Sequence, residues 1–178
     1  MLSTAAVSAG HEPTVVPALV AGTTASPSSF DAFFAEQFPR LVRVAMLIVG
    51  STATAEEIVQ DAFIRVYRRW DQLENPAAFA RVCVVNGCRD RIRRRTRWRD
   101  RVPLIATDAE STYEPDTGDD ELVALVRSLP ERQRTAIVLR YYEGLTPTEI
   151  ADVLGVTPSS IKSLLHRALE HCREELDR

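Results

Sequence analysis

One stretch restricts the fold of this chain more than any other: TPTEIADVLGVTPSSIKSLLHRAL, from Thr146 to Leu169. It predicts two short helices joined by a tight turn. Thr146 is placed to cap the first helix, Pro147 sits where a missing N–H costs nothing, and Glu149 completes a Thr-x-x-Glu capping box. Ile150, Ala151 and Leu154 make one apolar face. Gly155 tolerates positive φ, and Val156 is expected to plug the corner between the helices. Thr157 and Pro158 repeat the cap-then-proline start. The second helix is expected to bury Ile161, Leu164 or Leu165, and Ala168, leaving Ser159, Ser160, Lys162, Ser163, His166 and Arg167 for solvent or a partner. Hydroxyls and cations, with no carboxylate before Glu170, suit a helix that enters the major groove, because phosphates repel carboxylates. An ordinary helical hairpin with a solvated polar side shares this pattern, so the upstream sequence has to separate the two readings.

At 178 residues, 45% hydrophobic and 26% charged, the chain has the composition of a globular protein and room for one medium domain or two small ones. No apolar run reaches the roughly 18 residues that span a bilayer. Residues 1–29 lack a basic n-region and a compact apolar core, so they are expected to form a flexible tail rather than a signal peptide. A cytoplasmic protein without membrane insertion is the expectation. Cys83, Cys88 and Cys172 do not have metal-site spacing, and the three His are scattered, so neither a metal nor any other cofactor is expected.

The net charge of -3 hides two opposed blocks. Phe79 to Val102 holds nine Arg against Asp90 and Asp100, a local excess of +7, whereas Pro103 to Glu121 holds seven acidic residues and no basic one. Arginine at that density repels itself unless something anionic lies against it.

In chain order, Phe30 to Val49 has a helical rhythm that Pro39 is expected to kink or split. Thr54 with Glu57 offers a second capping box, opening a helix that buries Ile58, Val59, Ala62, Phe63, Val66 and Trp70. Its other face shows Glu56, Glu57, Gln60, Asp61, Arg65, Arg68 and Arg69; from the residues alone, a solvated face and a docking face both fit. After a polar loop, a helix from Ala77 to about Arg101 passes through Gly87 into RDRIRRRTRWRDR, where Trp98 is placed to stack on a base or an Arg plane. Residues 103–121 read as an acidic linker. Leu122 to Leu129 and Pro130 to Tyr142 are expected to be helices, with Leu129, Ala136, Ile137, Leu139, Tyr141 and Leu145 as core and Gly144 as a stop. The fold class is therefore all-α: two small helical domains, residues 30–102 and 122–178, joined by a flexible acidic linker, the second a helix-turn-helix.

This layout resembles the extracytoplasmic-function (ECF) sigma factors of the sigma-70 family, and within them the actinobacterial SigE-type group. The likeness covers Phe30 to about Leu176. It is carried by AEEIVQDAFIRVYRRW (Ala55–Trp70), NPAAFARVCVVNGCRDRIRRR (Asn75–Arg95), LPERQRTAIVLRYYEGLTPTEIADVLGV (Leu129–Val156) and SIKSLLHRAL (Ser160–Leu169). The resemblance implies that the first domain is sigma region 2, which binds core RNA polymerase through Gln60, Asp61, Arg65 and Arg68. The same domain would melt the promoter and recognise its -10 element through Asn75, Asn86, Arg89, Arg93, Arg94, Arg95 and Trp98. Capturing a melted strand needs cations for phosphates and a pocket for an unstacked base. The second domain would be region 4, reading the -35 element as duplex through Thr157, Ser159, Ser160, Lys162, Ser163, His166 and Arg167. Phe79 replaces a common Trp or Tyr, Leu164 a common Arg, and Ser159 a common Gly. Family habit adds an anti-sigma partner, to which no single residue points.

The chain is thus expected to be a promoter-specificity subunit rather than an enzyme, associated with the nucleoid through RNA polymerase. No nucleophile, paired-carboxylate or phosphate-loop constellation is present, and no small-molecule substrate is implied. The rival reading is a stand-alone helix-turn-helix regulator. A pure protein adaptor is disfavoured by the arginine run.

Overall fold

Helix α1 (Phe30–Val49) opens where the Ser29 hydroxyl accepts the Ala32 N–H, and it ends at Gly50, whose φ of 80° supplies the left-handed turn that L side chains rarely adopt. The computed structural model describes residues 29–101 and 120–177. The expected tail, apart from Ser29, and residues 103–119 of the expected linker lie outside these. Pro39 does not split α1: the helix runs through it unbroken. Ala35, whose carbonyl loses its partner to the proline, and Pro39 are both exposed, so water can satisfy that carbonyl.

Helix α2 (Thr52–Arg68) starts earlier than the Thr54–Glu57 pair suggests. Its cap is Ser51, which accepts the Thr54 N–H at 3.3 Å. A turn of 3₁₀ helix at Trp70–Gln72 leads to α3 (Pro76–Arg101). Pro76 belongs to α3, and Asn75 caps it by accepting the Ala78 N–H at 2.9 Å. Helices α1, α2 and the first half of α3 enclose one core around Phe33, Leu41, Ile48, Val59, Phe63 and Val84. Each large apolar side chain removed from water there contributes about 1.5–3 kcal/mol. Phe30, Phe33, Phe34, Phe38, Phe63 and Trp70 pack ring against ring at one end of that core, mostly tilted or edge-to-face. At Gly87 α3 approaches α2 closely: a Cβ built there lies 2.7 Å from Ile58 Cγ2.

The second domain begins with α4 (Asp120–Ser128), which takes in the last two residues of the expected linker. Pro130 is the N-cap of α5 (Glu131–Ile137) rather than its first helical residue. At Val138–Tyr142 the helix widens into a π turn, with the Glu143 N–H donating to the Val138 carbonyl at 3.1 Å. Tyr141, expected in the core, is 62% exposed on that turn. Helices α6 (Pro147–Leu154) and α7 (Pro158–Leu176) form the anticipated pair. Both halves of the capping box are made, Glu149 N–H to Thr146 Oγ1 and Thr146 N–H to Glu149 Oε2, and Gly155 has φ 66°. Val156 does not plug the corner; it is 42% exposed, and Val153 is buried instead. Leu165 and Ala168 are buried with Ile161, whereas Leu164 is half-buried.

The two cores meet. Val84 belongs to the first and Val85 to the second, so consecutive residues of α3 serve both. The π turn does the same from the other side, with Val138 in the first core and Leu139 in the second.

Candidate nucleic-acid interface

The second half of α3 carries its charge outward. Arg91, Arg93, Arg94, Arg95 and Arg97 are exposed, and Trp98 is exposed beside them. Among the described residues the ion pairs of this run are long: Arg91 lies 3.9 Å from Glu57, and Arg93 lies 4.0 Å from Asp90, all four at the surface. Such pairs are worth little in water, so the run keeps its positive potential for an anionic partner. Asn86 is half-buried on the same helix. Asn75 is committed to capping α3, a structural role that its place in the motif did not reveal. Phe79 packs on the first core with the Arg69 guanidinium 5.7 Å from its ring centre.

On α7 the expected face is open. Thr157, Ser159, Ser160, Lys162, Ser163, His166 and Arg167 are all exposed. The Thr157 hydroxyl accepts the Ser160 N–H and sits 3.0 and 2.8 Å from the Ser159 and Ser160 hydroxyls. Rotatable hydroxyls clustered at a helix N-terminus can donate to phosphate, and the helix dipole favours the anion. Arg167 bonds the Ser163 carbonyl through Nε at 3.3 Å, which steadies its stem.

Arg89 departs from the expectation. It is half-buried and donates through Nη1 to the Leu154 carbonyl at 3.3 Å, reaching from α3 to the end of α6. Burial, then the neighbouring Arg93 charge, pushes its pKa below the usual arginine value. A cleft of about 520 Å³ opens there, lined by Arg89, Arg132 and Thr135 together with Ser159, Ser163 and Arg167 of α7. The structure thus brings one residue expected at the -10 strand against the domain expected to read -35.

The polymerase-docking candidates Gln60, Asp61, Arg65 and Arg68 form one exposed stripe along α2. Ile64, 50% exposed, lies within that stripe, and Tyr67, 65% exposed, beside it. Sequence reasoning passed over both, although the spacing 60, 61, 64, 65, 68 is that of a single helix face. Large apolar side chains held in water next to charges suit a protein-binding surface better than a merely solvated one.

Comparison with known proteins bears on both domains. Residues 33–98 match the family profile described as Sigma-70 region 2, and residues 119–172 match Sigma-70, region 4. The chain is 30% identical to the RNA polymerase sigma-E factor of Streptomyces avermitilis, over 83% of this chain and 85% of that one. It is also 30% identical to the ECF RNA polymerase sigma factor SigL of Mycobacterium tuberculosis, over 88% and 94%. Its fold is similar to that of the sigma factor RpoE of Bartonella quintana, solved with the anti-sigma factor NepR, with a TM-score of 0.68 and 23% identity over 83% of this chain and 96% of that chain. Two regions in family order, on helices whose exposed faces are basic or hydroxyl-rich where DNA is expected, place the chain in the sigma-70 family as an ECF RNA polymerase sigma factor.

Proposed function

We propose that the chain binds core RNA polymerase through the α2 stripe, captures the melted -10 strand along the second half of α3, and reads the -35 duplex with α7. The observation that carries this reading is the separation of two exposed DNA-suited faces, one dense in arginine and one in hydroxyls, on different domains. Cations at high density suit a flexible single strand, which offers phosphates at irregular positions. Small hydroxyls on a second helix suit the ordered edges and phosphates of a major groove. Catalysis is left to the polymerase, and the chain acts in the cytoplasm on the nucleoid. Among the described residues no helix is long and apolar enough to cross a membrane. The Bartonella quintana sigma factor is held by an anti-sigma protein, and we extend that class of partner to this chain.

Run-off transcription tests the reading directly. Core RNA polymerase with this chain, on a pool of genomic promoter fragments, is expected to give transcripts absent without it. Silence, together with a gel shift of duplex DNA by the chain alone, would replace this reading with that of a free helix-turn-helix regulator.

A further inference from the structure

The cleft between α3, α5 and α7 holds more positive charge than its own residues balance. Arg89 of α3, Arg132 of α5 and Arg167 of α7 line it with one acidic residue, Glu131, which leaves an excess of +2. Among the described residues none of the three arginines forms an ion pair. Arg89 donates to the Leu154 carbonyl and Arg167 to the Ser163 carbonyl, each at 3.3 Å, while Arg132 is exposed. Burial first, then the charges of Arg93 and Arg132, lower the Arg89 pKa, a strain that an anion in the cleft would relieve. The Thr135 and Ser163 hydroxyls donate to carbonyls one turn back, and the Thr157 hydroxyl caps α7. The donors that remain for a ligand are therefore chiefly the guanidinium groups. Leu154, Val156 and Leu164 supply the apolar part of the lining, with Val156 left exposed beside the cations. The walls are held in place from outside the cleft: the buried Glu143 carboxylate accepts Arg81 Nε of α3 and Arg40 Nε of α1, each at 2.8 Å.

A volume of about 520 Å³ is that of a small-molecule site. It is too small for a DNA duplex, whose major groove alone is about 12 Å wide. A lone phosphate would leave the apolar lining unused. Guanidinium groups bind phosphate oxygens in pairs, and three of them on three helices suit a chain of phosphates rather than one. The apolar lining suits a flat ring at the end of that chain. We propose that this cleft binds a nucleoside di- or triphosphate, its phosphates on Arg89, Arg132 and Arg167 and its ring against Leu154, Val156 and Leu164. Ser159, Ser163 and Arg167 line the same cleft and are the residues expected to read the -35 duplex, so bound nucleotide and duplex exclude each other on α7. That exclusion rests on the sigma-factor reading, whereas the binding itself does not. Promoter recognition by this chain thereby responds to the level of the nucleotide.

Isothermal titration of the free full chain with ADP tests the site, and adenosine, pyrophosphate and inorganic phosphate test its parts. One ADP is expected to bind per chain, roughly tenfold or more tightly than any of the three fragments. Arg132→Glu, at an exposed side chain, is expected to weaken ADP by roughly tenfold or more, with helix content by circular dichroism unchanged. Arg91→Ala combined with Arg97→Ala changes the net charge by the same amount on exposed residues outside the cleft, and is expected to leave ADP affinity unchanged. Equal loss in the two variants would overturn the site and assign ADP to the general field of the arginine run. Absence of saturable ADP binding would overturn it too, and pyrophosphate binding as tightly as ADP would overturn the nucleoside assignment. The exclusion is read by fluorescence anisotropy on a promoter duplex recovered in the run-off test, with core polymerase present. ADP is expected to raise the half-saturating concentration of wild-type chain and not that of Arg132→Glu; ADP binding without that shift would overturn the exclusion. The titration involves neither polymerase nor DNA, so a failure of the sigma reading, seen as silence in run-off transcription, is distinguishable from a failure of the nucleotide site.

Discussion

At Gly87, a residue that looks costly in the middle of a helix proves to be required there. By propensity alone, Gly87→Ala should stabilise α3 by about 1 kcal/mol. The added methyl, however, lies 2.7 Å from Ile58 Cγ2, a branch fixed on Cβ of a helical isoleucine with little rotamer freedom. Gly87→Ala is therefore expected to destabilise the protein by about 1–3 kcal/mol, the cost of overpacking, read as a lower urea midpoint. A higher midpoint would show that α2 and α3 can separate slightly without loss. The cysteines divide in a similar way. Burial pushes the Cys88 thiol up to about 12, and burial also raises Cys83 against the lowering influence of Arg65 and Arg69. Cys172 is half-buried, and burial raises it as well. Iodoacetamide at pH 8 is expected to label Cys172 first and slowly, and Cys83 and Cys88 only after denaturant is added. Early labelling of Cys88 would mean that α3 opens locally.

At the scale of elements, the capping box of α6 is a stability term whose pH dependence has a definite sign. Hydrogen bonds from the Thr146 hydroxyl and backbone N–H hold the Glu149 carboxyl below its ordinary value of 4.5. A depressed carboxylate contributes stability that is complete above 4.5 and is lost as the pH falls through the lower, folded value. Glu149→Gln keeps an acceptor and loses the charge. Its deficit in urea midpoint against wild type is expected to be full at pH 7 and to shrink below about pH 4.5; a constant deficit would exclude the charge as its source. Thr146→Ala is expected to cost about 1 kcal/mol at pH 7. This box was legible in the sequence because capping is local: four residues carry the whole signal. The helix-turn-helix and the exposed face of α7 were legible for the same reason. Other features were not legible in this way, either because two local signals competed or because the partner is distant. Ser51 displaced Thr54 as the cap of α2, Pro39 was tolerated because its side of α1 faces water, and Tyr141 was turned outward by a π turn. Glu143 reads as a polar residue at a helix end, and nothing near it in sequence announces Arg40 or Arg81, 103 and 62 residues away.

For the whole molecule, the central question is whether polymerase docking and promoter opening can be separated. The α2 stripe and the arginine run lie on neighbouring helices of one domain, but the residues that carry them are exposed. Exposed substitutions away from caps and cores usually change stability by less than about 0.5 kcal/mol, so loss of function at either surface should report on that surface. Replacing Arg93, Arg94 and Arg95 with Ala removes three cations from the proposed path of the melted strand. The variant is expected to retain core-polymerase affinity, to lose most open-complex formation measured by permanganate reactivity of unpaired thymines, and to show a shallower dependence of promoter binding on salt, because fewer counterions are released. Asp61→Arg reverses a charge in the middle of the α2 stripe. It is expected to weaken polymerase binding and to spare salt-dependent affinity for single-stranded DNA, since α3 is untouched. Charge reversal at a docking surface can cost several kcal/mol through like-charge contact alone, which makes the loss readable in a pull-down with purified core enzyme. If both variants lose polymerase binding equally, the arginine run belongs to the docking surface, and strand capture has to be assigned elsewhere on α3.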